Sequence, residues 1–196
     1  MSVIIDTGCA NLTSLKFALE RLDEKALITD DPAVIQAADR VFLPGVGSAG
    51  FAMAALEQKG LRNVIPQLTQ PVLGICLGMQ MLTSSSTEGD TLCLDVIPGE
   101  VVTLETQGRR LPHMGWNTLL EISDHALFNG ISSDAYFYFV HSFAAGIYDS
   151  TIAQCEYGTA FSASLAHKNF IGVQFHPERS GKSGSQILKN FLEIRL

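Results

Sequence analysis

At roughly 100 to 200 residues per domain, a chain of 196 residues makes one domain, or one with a small subdomain folded against it, and leaves no room for a second enzyme. Residues of the AVILMFWYC set make up 46%, charged residues 17%, and the mean hydropathy is +0.21, which excludes a disordered tail or linker. Thirteen Lys and Arg against twenty Asp and Glu give a formal charge of −7, the wrong sign for binding phosphate backbones or anionic membranes.

The longest apolar run, around Val72 to Leu82, is broken by Gln80 and falls short of the roughly 18 residues a membrane span needs. Met1 to Ile5 runs straight into Asp6 without the basic start, apolar stretch or cleavage site of a signal peptide, so a cytoplasmic protein is expected. Cys9, Cys76, Cys93 and Cys155 are widely spaced and form no CxxC, so reduced thiols are expected. No repeat or linker divides the sequence, and residues 1–196 are expected to form one domain.

In chain order, Val3 to Ile5 reads as a strand. Asn11 then N-caps a helix in which Leu12, Leu15, Leu19 and Leu22 recur at helical spacing. Ala26 to Thr29 is a second strand, Asp30, Asp31 and Pro32 mark a helix start, and Val41 to Leu43 is a third strand. Ala49 to Leu68 is helical material interrupted near Gly60, and Val72 to Ile75 is a buried strand ending at Cys76. The polar stretch Thr83 to Asp90 reads as a surface loop. Further strands are expected at Val101 to Leu104, Leu119 to Ile122, Ala135 to Val140, Thr151 to Cys155, Phe161 to Leu165 and Phe170 to Phe175. A helix over Ser183 to Leu192 follows. Alternating strands and helices joined by short loops imply βαβ units, hence a three-layer α/β domain with a mixed sheet and functional loops at the strands' carboxyl ends.

Gly74, Ile75, Cys76, Leu77, Gly78 follows an apolar strand and precedes a helix start, the pattern of a nucleophile elbow with cysteine in place of serine. Small neighbours relieve the crowding of such a turn, and the N-H of Leu77 would point toward an oxyanion. Taken alone, Cys76 reads as one more buried thiol and needs a partner. Phe175, His176, Pro177, Glu178 offers one: in an extended segment residues two apart share a side, so His176 and Glu178 can act as a base and its orienting carboxylate. Pro44 to Gly50 contains a formal GxGxxG, but it follows the third strand and lacks the acidic residue about 20 positions on that a dinucleotide site requires. A glycine loop presenting N-H groups to an oxyanion fits better. His113, His125, His141 and His167 form no metal-ligand spacing, so no metal site is expected. Tyr136 to Phe139 reads as core strand, and Trp116, in Pro112 to Asn117, as a buried corner or a partner-facing anchor.

These segments resemble the class I glutamine amidotransferases, whose Cys, His, Glu triad lies in a G-x-C-x-G elbow and an H-P-E strand end. Pro-His-Met-Gly-Trp-Asn at 112–117 and Tyr-Phe-Val-His-Ser at 138–142 are more specific, and resemble the branch that serves imidazole glycerol phosphate synthase. The resemblance covers nearly the whole chain and implies a flavodoxin-like three-layer fold around a largely parallel mixed sheet. It implies Cys76, His176 and Glu178 as catalytic residues, and an oxyanion hole from the backbone of Leu77, Val46 and Gly47. Glutamine contacts fall at Gln80, Glu88, Ser142 and Phe143. It implies no cofactor. It also implies a cyclase partner with a (β/α)8 barrel that receives ammonia, with Asn11, Trp116 and Arg179 as candidate contacts. Cys9 and Ala10 stand where relatives often have glycine, and Phe143 where tyrosine is common. Three rivals remain at this point: another class I amidotransferase subunit, a non-catalytic binding module of the same fold, and a cysteine peptidase.

Overall fold

The computed structural model describes residues 1–8 and 11–195, so Cys9 and Ala10 lie outside the described residues. Its elements run β1 (Ser2–Ile5), α1 (Leu12–Glu20), β2 (Ala26–Thr29), α2 (Pro32–Gln36), β3 (Arg40–Gly45), α3 (Ala49–Gln58), β4 (Val72–Cys76) and α4 (Leu77–Leu82). The second half adds β5 (Ser85–Ser86), β6 (Thr91–Leu92), β7 (Glu100–Thr103), β8 (His113–Thr118), β9 (Tyr136–His141) and β10 (Phe143–Ala145). It closes with β11 (Thr151–Tyr157), β12 (Thr159–His167), β13 (Phe170–Val173) and α5 (Gly181–Glu193).

The largest sheet among the described residues has the order β11-β12-β13-β4-β3-β1-β2. Neighbours from β13 to β2 are parallel, and β12 and β11 continue the edge as an antiparallel hairpin. Because side chains alternate across a strand, Val3, Ile5, Val41 and Leu43 enter one apolar cluster while Ile4 and Phe42 enter the other. The first cluster is covered by α2, α3 and α4 together with β7 and β10 of a small second sheet, ordered β10-β7-β5-β6. The other is covered by α1, α5 and the inner face of the β8-β9 ribbon, where Phe137, Phe139 and Phe191 are fully buried. Three layers with a mixed, largely parallel sheet result.

Local chemistry sets the helix ends. Asn11 Oδ1 accepts from Ser14 N at 3.3 Å to cap α1, and Asp31 Oδ1 accepts from Ala33 N at 2.9 Å ahead of Pro32 in α2. At the end of α3, Leu61 N donates to Leu56 O and Gly60 N to Glu57 O, with Gly60 at φ +70°. This Schellman closure is why the helical stretch expected to Leu68 stops at Gln58, leaving only a 3-10 turn at Ile65–Gln67.

Three other expectations are corrected. Leu119 to Ile122 is no strand: Leu120 makes an isolated bridge to Gln154, and Glu121 at φ +46° breaks the extended run. The strand of this region lies earlier, in β8. Thr83 to Asp90 is a surface loop only in its second half: Thr83 and Ser86 are buried and β5 pairs with both β6 and β7, while Thr87, Gly89 and Asp90 form an exposed turn. The strand expected to Phe175 ends at Val173: Gln174 N still reaches Ala163 O in register with β12, but His176 N leaves the sheet for Tyr138 O, each at 2.9 Å. No helix among the described residues is long and apolar enough to cross a membrane.

Helix α5 follows the His-Pro-Glu turn and is anchored by Phe191, whose ring meets Phe42 of β3 edge-on at 5.0 Å. Phe191→Ala is expected to lower unfolding free energy by about 3 to 5 kcal/mol, measured by urea denaturation; a change below about 1 kcal/mol would mean α5 is not held by this contact.

Candidate active site

Strand β4 delivers Cys76 to the carboxyl edge of the sheet, and α4 begins at the next residue. Cys76 has φ +55° and ψ −112°, a conformation that costs a non-glycine residue roughly 1 to 3 kcal/mol. The flanking glycines are required by close approach. A Cβ on Gly78 would lie 1.7 Å from the Leu43 carbonyl oxygen, and one on Gly74 would lie 2.7 Å from the Gly78 oxygen. The sulfur donates to Val140 O at 3.9 Å and accepts from the Gln174 side-chain amide at 3.8 Å. Burial pushes the Cys93 thiol up to about 11 and Cys155 up to about 12, so neither supplies a thiolate at neutral pH.

His176 and Glu178 do meet, with Nδ1 and Oε1 2.8 Å apart, although the extended geometry expected for them is wrong. Pro177–Arg179 forms a 3-10 turn that folds the carboxylate back under the ring. Ser180 clamps the turn, its Oγ donating to His176 O at 2.6 Å and accepting from Tyr138 N at 2.9 Å. Nε2 of His176 and Oε2 of Glu178 are buried without a hydrogen-bond partner. Burial disfavours the charged ring and is the largest single influence. The interaction with Cys76 and Glu178 outweighs it and raises His176 to about 10. The imidazole therefore holds a proton between a sulfur and a carboxylate, and its titration belongs to the group.

One cavity of about 370 Å³ opens over this edge, within the range of small-molecule sites. Of the residues singled out from the sequence, it is lined by Asn11, Val46, Gly47, Cys76, Leu77, Gln80, Glu88, Ser142, Phe143, His176, Glu178 and Arg179; Trp116 alone lies outside it. Leu77 opens α4, so its N-H has no partner within the helix, and Gly47 supports the facing loop with φ +97°. Glu88 has a role the sequence did not disclose: its Oε2 accepts from Ala49 N at 2.8 Å, capping α3 where Ser48 makes no side-chain cap. That bond ties the Glu88 loop to the glycine loop. Gln80 spends both amide N-H groups inside the protein, on Phe143 O and Gln174 Oε1 at 2.9 Å each, so it meets a ligand only through Oε1. The Phe143 carbonyl also accepts from His141 Nδ1 at 2.9 Å, so its backbone offers a ligand only the N-H.

Gln174 escaped the sequence analysis, and His113 and His141 entered it only as histidines without metal-ligand spacing. All three are buried, and His113 Nδ1 lies 2.9 Å from His141 Nε2. Burial, chiefly, lowers His113 to about 4 and His141 to about 3, so both rings are neutral. A lone Gln inside the apolar run Phe170 to Phe175 was the available signal for Gln174.

Trp116 is no buried corner: it is 56% exposed on the outer face of the β8-β9 ribbon. There it meets Tyr138 edge-on at 5.9 Å, and the Arg179 guanidinium lies 4.8 Å from the centre of the same ring. Met114 and Tyr136 extend this exposed face, so Tyr136 is not core while Phe137 and Phe139 are.

The family model described as glutamine amidotransferase class-I matches residues 4–194. The chain belongs to the class I glutamine amidotransferase family. A relative from Colwellia psychrerythraea, named imidazole glycerol phosphate synthase subunit HisH, is 56% identical and aligns over 98% of this chain and 92% of its own length. One of the same name from Idiomarina loihiensis is 57% identical over 99% of this chain and 98% of its own. A solved structure of PurLQS from Thermotoga maritima superposes with a TM-score of 0.77 at 19% identity, covering 98% of this chain and 97% of that one, a likeness of fold.

Two expectations follow for this amidotransferase. Gly78→Ala, which drives a methyl into the Leu43 carbonyl, should cost more than about 3 kcal/mol and leave little folded protein; a near-normal thermal midpoint would contradict the packing described. Because His176 is raised from 6.5 to about 10 in the folded chain, its stabilising share is fully present below 6.5 and is lost as pH rises through 10. Urea denaturation across that window should show falling stability for the wild type and a flatter profile for His176→Gln. Parallel profiles would mean the ring is not held protonated.

Proposed function

We propose that this chain is the glutaminase subunit of an imidazole glycerol phosphate synthase, releasing ammonia from L-glutamine for a cyclase partner in histidine biosynthesis. The observation that carries the reading is a cysteine at a strained elbow acting on an imidazole that Glu178 orients, in a chain whose relatives bear that subunit's name.

In this mechanism the proton that His176 holds on Nε2 is the one the Cys76 thiol has given up, and Sγ adds to the side-chain amide carbon of glutamine. The C-N bond then breaks as the imidazolium gives its proton to the nitrogen, ammonia leaves, and a thioester remains on Cys76. Water adds to the thioester with Nε2 taking its proton, the C-S bond breaks, the proton returns to sulfur, and glutamate departs. The N-H of Leu77, with one from the Val46 and Gly47 loop, stabilises the oxyanion of both tetrahedral stages. The free oxygen of Gln80, the second oxygen of Glu88 and the N-H groups of Ser142 and Phe143 orient the amino-acid end of the substrate. Glu178 holds the ring and balances its charge.

Ammonia set free in water is protonated and lost, which is the chemical reason for a partner that receives it directly. Exposed Trp116 and Arg179 on either side of half-buried Tyr138, with Asn11 at the cavity wall, make the surface we assign to the cyclase. An aromatic and arginine patch suits an interface centre.

Glutamate release measured for the chain alone, then with the cyclase and its nucleotide ligand, tests the reading. Activity is expected mainly in the full mixture and is abolished by Cys76→Ala; glutamine left untouched in every mixture would overturn it. Trp116→Ala should weaken the complex by about 10-fold or more in a titration, and unchanged affinity would move the interface elsewhere.

A further inference from the structure

Six buried or half-buried groups form one hydrogen-bonded chain that ends on the nucleophile. Asn117 Nδ2 lies 3.3 Å from His113 Nε2, His113 Nδ1 2.9 Å from His141 Nε2, and His141 Nδ1 2.9 Å from Phe143 O. The same carbonyl accepts from Gln80 Nε2, whose other N-H goes to Gln174 Oε1, and Gln174 Nε2 reaches Cys76 Sγ at 3.8 Å. We propose that Gln174 is a further residue of the glutaminase reaction, a buried amide donor aimed at the Cys76 sulfur and held in that sense by the Phe143 carbonyl through Gln80.

The direction of every bond follows from that one carbonyl, which can only accept. It requires N-H on Gln80 and N-H on His141 Nδ1. Gln80 then presents its second N-H to Gln174, which must answer with its oxygen, and the Gln174 NH2 is left facing sulfur. A flipped Gln174 would set NH2 against NH2 and carbonyl oxygen against sulfur, leaving buried polar groups unpaired in a fully buried site. On the other arm, His141 Nε2 must accept from His113 Nδ1, and His113 Nε2 from Asn117. Both rings are held neutral by burial, so this polarity does not reverse near neutral pH.

The donor matters because sulfur carries negative charge twice in the reaction: when it attacks, and when the thioester C-S bond breaks. An N-H directed at it favours the charged form. The thiol hydrogen can meanwhile rest on Val140 O, so resting and charged states are both accommodated without moving the amide. The histidine arm positions the carbonyl, with His141 at the cavity wall and His113 behind it.

This inference rests on the glutaminase reading, and its test is separable from it. The full chain carrying Gln174→Met, similar in length but without a donor, is treated with iodoacetamide near neutral pH, and Cys76 modification is timed by peptide mass spectrometry. Alkylation is expected to slow by about 10-fold, and in the cyclase complex kcat is expected to fall while KM for glutamine stays within about 2-fold. Gln174→Glu keeps the shape and the oxygen that Gln80 requires and should slow alkylation at least as much; it carries the test if Gln174→Met does not fold. A folded variant alkylated at the wild-type rate would show the amide to be packing alone. Alkylation needs no glutamine, so a wild-type chain that ignores glutamine would overturn the glutaminase reading and leave this result standing.

Discussion

The backbone approach between Gly78 and the Leu43 carbonyl is the constraint on which the site depends. Two adjacent parallel strands, β3 and β4, end side by side, and α4 starts so close to β3 that no Cβ fits between them. Only that approach allows the chain to turn at Cys76 with positive φ and present the sulfur at the sheet edge while the opening N-H of α4 faces the same space. The strain at Cys76 is held by what surrounds it: fully buried Leu43, Leu73 and Met79 on either side of the turn leave it nowhere to relax.

Around this elbow the other parts are placed by pairing with the same sheet. Parallel pairing of β13 with β4 brings the His-Pro-Glu turn to the sulfur's edge, and β3 brings the glycine loop from the other side. The β8-β9 ribbon closes the site from above. Its inner face supplies the buried histidines and the Val140 carbonyl, and its outer face presents Trp116 and Tyr138. A two-stranded ribbon has two faces at alternate residues, so the surface assigned to the partner and the groups fixing the substrate wall are neighbours along the same strands. Movement of the ribbon would be felt at Phe143 through His141, and from there at Gln80 and Gln174.

Much of this was legible in the chain. The alternation of short apolar runs with helical spacing marked the parallel strands, because fully buried strands need continuous apolar residues whatever their neighbours. Asn11, Asp31 and Pro32 marked helix starts through chemistry that is local to a few residues. Leu119 to Ile122 misled because apolar content does not report backbone sign: Glu121 sits in the left-handed region, and the pairing segment is the less apolar His113 to Thr118. Thr83 to Asp90 misled in its first half because Thr83 and Ser86 are buried by pairing that the local composition does not report: β5 lies between β6 and β7, and β7 is some 15 residues further along the chain.

The sequence by itself determined the fold class and the residue types able to do chemistry, because strand and helix periodicity, caps and the spacing of the elbow glycines act over a few residues. The tertiary structure alone decided which way each amide and imidazole points. A hydrogen bond's direction depends on what its partner can give or accept, and here those partners lie 94 positions apart in Gln80 and Gln174, and 28 apart in His113 and His141. It also decided that Glu88 caps α3 and that Glu178 reaches His176 through a turn, since both depend on where separate segments meet in space.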